Sequence, residues 1–375
     1  MSTKGWRDAI SADLVAEEQG AWHGTTSNFT TEELKAQNVA LASIESEEQE
    51  EEFDPTSGHA WCERGDILCS LELFDFALEA YEQAIELEPS AIRAYLSKGN
   101  LYALLAQPRK ALETFGQVLM HEPDNIYALN CKATALYRLG RNQQALMYYE
   151  KVLLLAPNEA TFHYNKAVVL ATLERHKEAI ASYERCLRLD ASDANAHNNQ
   201  GNSLYRLQFY QKALAAYEQA TLLDPTQAVF FENKAAVLMF LDRYEEALTA
   251  YEQVLTFHPT NAHMLMRKGD ALTFLKRYEE ALAVCEQALA YTEDAVTIYN
   301  AIGRVCSEME QYENAFAAYD KAIAYDADDP QTHWAKGTLL WKLLRYDEAM
   351  VACGAAIERA PLYRDMLRFL TIEQR

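Results

Sequence analysis

The chain has 375 residues, half of them hydrophobic, with 56 acidic against 34 basic side chains and a net charge of −22. That balance opposes binding to nucleic-acid backbones and anionic membranes, which relies on Lys and Arg displacing counterions. No apolar run reaches membrane-spanning length and none of secretory length follows Met1, so the expected location is the cytoplasm.

Residues 1–57 carry 13 acidic and 3 basic side chains, most densely over 45–54. Like-charge blocks stay solvated, so this acidic segment is expected to be largely disordered. A helix over 31–44 is the exception, capped by Thr31 with Glu32 and Glu33 in its first turn. From residue 58 a 34-residue period takes over. Alanine recurs at 77, 111, 145, 179, 213, 247, 281, 315 and 349. Small residues keep the same period at Gly65, Gly99, Ala133, Ala167, Gly201, Ala235, Gly269, Gly303 and Gly337. Four residues after each marker alanine stands Tyr81, Phe115, Tyr149, Tyr183, Tyr217, Tyr251, Cys285, Tyr319 or Cys353. Prolines 89, 123, 157, 225, 259 and 361 close six units, where a chain leaving one helix must turn.

Nine units result: 58–91, 92–125, 126–159, 160–193, 194–227, 228–261, 262–295, 296–329 and 330–363. Within the fifth, Ala196, Gly201, Leu204 and Leu207, then Ala213, Leu214, Tyr217, Ala220 and Leu222, follow a helical period on both sides of a short turn. Each unit is therefore expected to be an antiparallel helix pair whose small residues let the backbones approach. One pair cannot bury both apolar faces, so neighbours must stack. The seventh unit lacks both its proline and its aromatic, which predicts a looser joint at 292–294. Residues 364–375 alternate Met366, Leu367 and Leu370 with charges and read as a short capping helix.

The pattern G/A-x-x-L/Y, then A-x-x-x-Y/F-x-x-A and a closing proline at period 34 resembles the tetratricopeptide repeat. It departs from the pattern at Ala191, Glu293 and Ala327 in place of proline and at Cys285 and Cys353 in place of an aromatic. The resemblance implies an all-α, right-handed superhelical solenoid of antiparallel helix pairs. It also implies that the second, fifth, sixth, ninth, twelfth and thirteenth places of each first helix face a concave groove.

No catalytic or metal-binding pattern accompanies the repeats. Seven scattered cysteines without C-x-x-C suit a reducing compartment, and His163, His197 and His333 share the fourth place of their units, where a packing ring is expected. Neither a Ser/His/Asp order, a phosphate-cradling glycine loop nor H-E-x-x-H occurs, so no enzyme, cofactor or metal is expected.

Binding is expected on the inward places. The sixth place reads Asn165, Asn199, Asn233 and Arg267 through units four to seven, with Asn195, Asn198 and Asn202 on the same helix as Asn199. An asparagine amide offers donor and acceptor together, so a row of them can pair with an extended peptide backbone whatever its side chains. The row resembles the asparagine ladder of the repeat domains of O-linked sugar transferases. Tyr137, Tyr164, Tyr205, Met239, Phe240, Met266 and Phe274 would add apolar contact, and Arg138, Arg206 and Arg267 positive charge. Asn202, Asn233 and Arg267 also match three places of the carboxylate clamp of heat-shock co-chaperones, but Asn198 and His263 stand where its lysines belong.

The expected function is that of a scaffold or adaptor binding an extended protein or peptide segment, one with an acidic or carboxylate group, in the groove. The acidic N-terminal segment is expected to compete for Arg206 and Arg267 within the molecule. The alternative is a regulatory partner presenting substrates to an enzyme such as a glycosyltransferase.

Overall fold

The computed structural model describes residues 53–364 apart from Glu293. The acidic segment up to residue 52, with its expected helix, and the capping helix beyond 364 lie outside the described residues. Among the described residues there are eighteen α-helices and no strand, in two compact bodies that divide between residues 207 and 208.

The first body comprises α1 (Gly58–Ser70), α2 (Phe74–Leu87), α3 (Ile92–Leu104), α4 (Pro108–His121), α5 (Ile126–Arg138), α6 (Asn142–Leu155), α7 (Ala160–Thr172), α8 (His176–Leu189) and α9 (Ala194–Arg206). The second comprises α10 (Tyr210–Leu223), α11 (Ala228–Phe240), α12 (Tyr244–Phe257), α13 (Ala262–Phe274), α14 (Tyr278–Leu289), α15 (Ala295–Glu308), α16 (Tyr312–Tyr325), α17 (Pro330–Lys342) and α18 (Tyr346–Arg359). In each body every helix packs on the next, and first helices of successive repeats also touch: α1 with α3, α3 with α5, α5 with α7, α7 with α9, and later α13 with α15 and α15 with α17.

Local chemistry sets the ends of these helices. Ser57, Asn125, Asp193, Asn261, Asp294 and Asp329 accept hydrogen bonds from the first-turn amides of first helices, satisfying donors that have no partner inside the helix. Second helices begin differently. Arg175, Arg243, Arg277 and Arg345 each clasp the glutamate three residues on through two hydrogen bonds of 2.5–2.7 Å. At the equivalent place Gln311 accepts from Asn314 instead.

Every first helix leaves through one left-handed residue: Glu72, Ala106, Gly140, Glu174, Gln208, Asp242, Lys276, Glu310 or Leu344. In most repeats the next amide then bonds back five residues, as Gln107 does to Tyr102 O at 2.8 Å and Arg345 to Leu340 O at 3.0 Å, which closes the helix. Only the third repeat has glycine there, so eight side chains carry strain against their own Cβ. Leu344→Gly should therefore raise stability by about 1 kcal/mol, read as a higher melting temperature, and Gly140→Ala should lower it by a similar amount.

The core follows the alanine register. All nine marker alanines are 0% exposed, and the residues four places later are all buried. The small column explains how the helices come so close: a Cβ on Gly65 would stand 2.5 Å from the Tyr81 ring, and one on Gly303 2.5 Å from that of Tyr319. Where cysteine replaces the ring, another side chain supplies volume. Trp334 packs into the Cys353 cluster with Ala356 and Tyr363, and Met266 and Leu265 into that of Cys285. Met266 is thus a core residue as well as an occupant of an inward place. Across the outer seams, Lys98–Glu82 and Lys166–Glu150 tie adjacent repeats in the first body, and Lys268–Glu252 and Lys336–Asp320 do so in the second. Exposed pairs of this kind contribute about 0–1 kcal/mol each, so stacking rests on the apolar core.

The fourth-place rings act at the joints. His163, His197 and His333 reach the backbone oxygens of Pro157, Ala191 and Ala327, and Trp61 Nε1 donates to Pro55 O in the same way. Two of these anchors serve the joints that lack proline, where α8 and α16 still run their full 14 residues. The remaining proline-free joint differs. α14 has 12 residues, and Tyr299, at the fourth place after it, stacks on Tyr325 instead. The looser joint expected here centres on Glu293, outside the described residues; on either side, the Asp294 amide donates to Thr292 Oγ1 at 3.1 Å.

Candidate functional site

Because first helices touch along each body, their inward places form a surface whose polar groups meet between repeats. In the first body these groups bond across successive repeats in several separate contacts. Asn165 Nδ2 donates to Asn130 Oδ1 at 3.3 Å, Asn199 Nδ2 to the Tyr164 hydroxyl at 3.0 Å, and Asn198 Nδ2 to Asn199 Oδ1 at 3.2 Å. Tyr137 and Thr172 share a hydroxyl contact of 3.4 Å, and Arg138 Nη1 donates to Ala103 O at 2.9 Å. Asn165, Asn199 and Tyr164 are half-buried, and Arg138 and Arg206 are exposed.

Packing holds this surface in place. The Tyr164 ring meets Tyr183 edge to face with centroids 6.0 Å apart, and burial pushes the Tyr164 hydroxyl up to about 12. It therefore stays protonated while accepting from Asn199. Burial also lowers the pKa of His176, with the charge of Arg206 adding to the effect, so the imidazole favours its neutral form. Stability from that neutral form is present above the ordinary histidine range and is lost as pH falls through the lowered value.

Asn199 thus has both halves of its amide engaged by neighbours. Asn165 keeps its carbonyl, and Asn130 its amide hydrogens, beyond the bond they share. Asn130 belongs to the same row but sits at a fifth place, so reading the sixth column alone missed it. The signal was the spacing: each cross-repeat bond joins residues 35 apart, one repeat plus one residue. Of the other expected residues on α9, Asn202 is half-buried and Tyr205 buried.

The second body holds the remaining expected residues, and there burial replaces the open face anticipated from sequence. Asn233 is 5% exposed and Arg267 7%. Arg267 Nε donates to His263 Nε2 at 3.3 Å, and its Nη1 lies 3.9 Å from Asp270, which also accepts from Arg304. Phe240 stacks on Tyr210 and Phe274 on Tyr244, with centroids 5.2 and 4.7 Å apart. Asp270 and Arg304 occupy ninth places, an inward column left unread for charge.

Among the described residues no cluster of three or more His, Cys, Asp or Glu is placed to hold a metal ion, and no helix is long and apolar enough to cross a membrane. All seven cysteines are free thiols. Burial pushes Cys285 up to about 12 and Cys62, Cys131, Cys186 and Cys353 to about 11, so they are protonated at neutral pH.

Tetratricopeptide-repeat family models match residues 65–105, 132–196, 194–227, 230–261, 256–328 and 300–364. Among solved structures, YrrB, described as a TPR protein with an unusual peptide-binding site, is 23% identical over 50% of this chain and 96% of its own, with a TM-score of 0.43. A tetratricopeptide repeat protein from Parabacteroides merdae is 17% identical over 66% of this chain and 98% of its own, at 0.48. A chain of the Cut9–Hcn1 hetero-tetramer of the APC/C is 12% identical over 84% of this chain and 76% of its own, at 0.46. No curated protein matches significantly in sequence. The family models run through both bodies and end just past the last helix pair, on the same 34-residue register that buries the nine alanines: the chain belongs to the tetratricopeptide repeat family, whose architecture is that of a protein-interaction scaffold.

Proposed function

We propose that the chain binds an extended segment of a partner protein along the face of α5, α7 and α9, and that this segment carries carboxylates. The observation that supports the reading is the ordered amide row. Asn130 and Asn165 are fixed by one shared bond and retain a donor and an acceptor, the complement of a peptide group. Tyr164 and Tyr137 stand beside them as half-buried apolar walls. Arg138 and Arg206, exposed at the thirteenth place of α5 and α9, supply charge for acidic side chains. Asn199, engaged on both sides, positions Tyr164.

The test is selection from a random peptide library on the full-length chain, followed by titration of the selected peptides. Acidic peptides are expected to be enriched. Asn165→Ala should weaken all of them by roughly 2- to 10-fold, the effect of one lost hydrogen bond. Arg138→Ala with Arg206→Ala should weaken the acidic ones selectively and flatten their salt dependence. Peptides held equally by wild type and by both variants would sink the reading.

A further inference from the structure

In most first helices the thirteenth place is open: Leu104 is 65% exposed there, and Arg138, Thr172, Arg206, Glu308 and Lys342 are exposed too. Phe240, at the same place in α11, is 6% exposed. The whole stretch 235–240 is buried with it. A helix turns once in 3.6 residues, so six buried residues in succession leave no side facing water. α13 repeats the pattern over 264–267 and 269–273, and the buried set there includes Arg267, Asp270 and Thr273. Neighbouring helices account for the core side of α11 and α13. On the inward side Tyr210 stacks on Phe240 as Tyr244 does on Phe274, yet Phe274 is only half-buried, so the stacked ring does not account for all of the burial of Phe240.

We propose that the inward face of α11 and α13 is a docking site, and that its occupant is the chain's own segment of residues 1–52. The chemistry of that segment fits the face. It holds 12 acidic and 3 basic residues, six of the acidic ones between 45 and 52, and it carries Trp6, Ile10 and Leu14 at four-residue spacing. Spacing of four sets those three side chains on one side of a helix, an apolar strip able to cover Phe240 and Met239. The acidic groups can meet the guanidiniums of Arg267 and Arg304 beside Asp270. Reach does not restrict the contact, since 52 residues extend to about 170 Å. Tethering holds such a segment near its site at an effective concentration in the millimolar range, so it excludes an acidic partner of ordinary affinity from this face. The contact is a built-in competitor, made by residues separate from those of the α5–α9 face.

Hydroxyl-radical footprinting of full-length protein reads the side chains directly. Two variants are compared with wild type: Trp6→Asp/Ile10→Asp/Leu14→Asp, and one with Glu47, Glu48, Glu50, Glu51 and Glu52 all changed to Gln. Labelling of Phe240 should rise severalfold in the first, from its 6% exposure toward the half-buried state of the equally stacked Phe274, and by less in the second. Labelling of Tyr251, in the core of the same body, serves as the fold control and should not change. Unchanged Phe240 labelling in both variants overturns the proposal. So does labelling that rises in wild type on tenfold dilution, which would assign the cover to a second copy of the chain. Peptide binding at α5–α9 is scored by its own substitutions, so either idea can fail without the other.

Discussion

Tyr183→Ala is expected to destabilise the first body by about 3–5 kcal/mol, the cost of emptying a buried aromatic site that cannot collapse. The ring is 1% exposed and lies in a cluster that runs from Ala133 on α5 through Tyr149 and Leu170 to Ala196 on α9. Removing it therefore loosens three successive repeats. The neighbouring ring makes the effect functional as well: Tyr164 packs edge-on against Tyr183 while its hydroxyl holds Asn199. Urea unfolding followed by circular dichroism should show the lower midpoint. Native-state hydrogen exchange should place the loss in α7, α8 and α9, because repeats depend chiefly on their nearest neighbours. A loss below 1 kcal/mol, or one spread evenly over the chain, would contradict the packing described here.

The second large effect is expected at the ninth repeat, where two substitutions should compensate. Trp334 is buried against Cys353, Ala356 and Tyr363, its ring centroid 5.1 Å from that of Tyr363. In every other repeat except the seventh, which has Cys285, the place of Cys353 holds tyrosine or phenylalanine and the fifth place a smaller or more polar side chain. Trp334→Ala should then cost about 3–5 kcal/mol, and Cys353→Tyr alone about 1–3 kcal/mol by overpacking. Together they restore the arrangement of the other repeats, so the double variant should be more stable than Trp334→Ala. Unfolding of the four proteins in a double-mutant cycle measures the coupling, and strictly additive losses would refute the exchange of volume.

These cases mark how far the sequence alone could be read. Column positions were legible because burial follows one period: the marker alanines and the rings four places on are buried throughout. Pairing of polar side chains was much less legible. Asn199, Asn165 and Arg267 were placed on the right helices, yet their partners Tyr164, Asn130 and Asp270 sit in other columns. A hydrogen bond depends on where two particular atoms come to lie, and hydrophobic periodicity does not encode that. Burial of Arg267 was hidden for the same reason, since it goes with the meeting of its guanidinium with His263 and Asp270 on its own helix.

The uniform turn after each first helix has a bearing on how such a chain can change length. Every first helix leaves through a single left-handed residue at the fifteenth place, whether that residue is Glu72, Gly140 or Leu344. Two such places within one body are interchangeable splice points. Excising or duplicating a whole block between them rejoins backbone of the same conformation, whereas a cut of any other size puts a helix out of step with its partner. Length can thus vary by whole repeats while the turn itself stays unaltered, and gain or loss of a repeat changes how many inward places a partner meets without redesigning any of them.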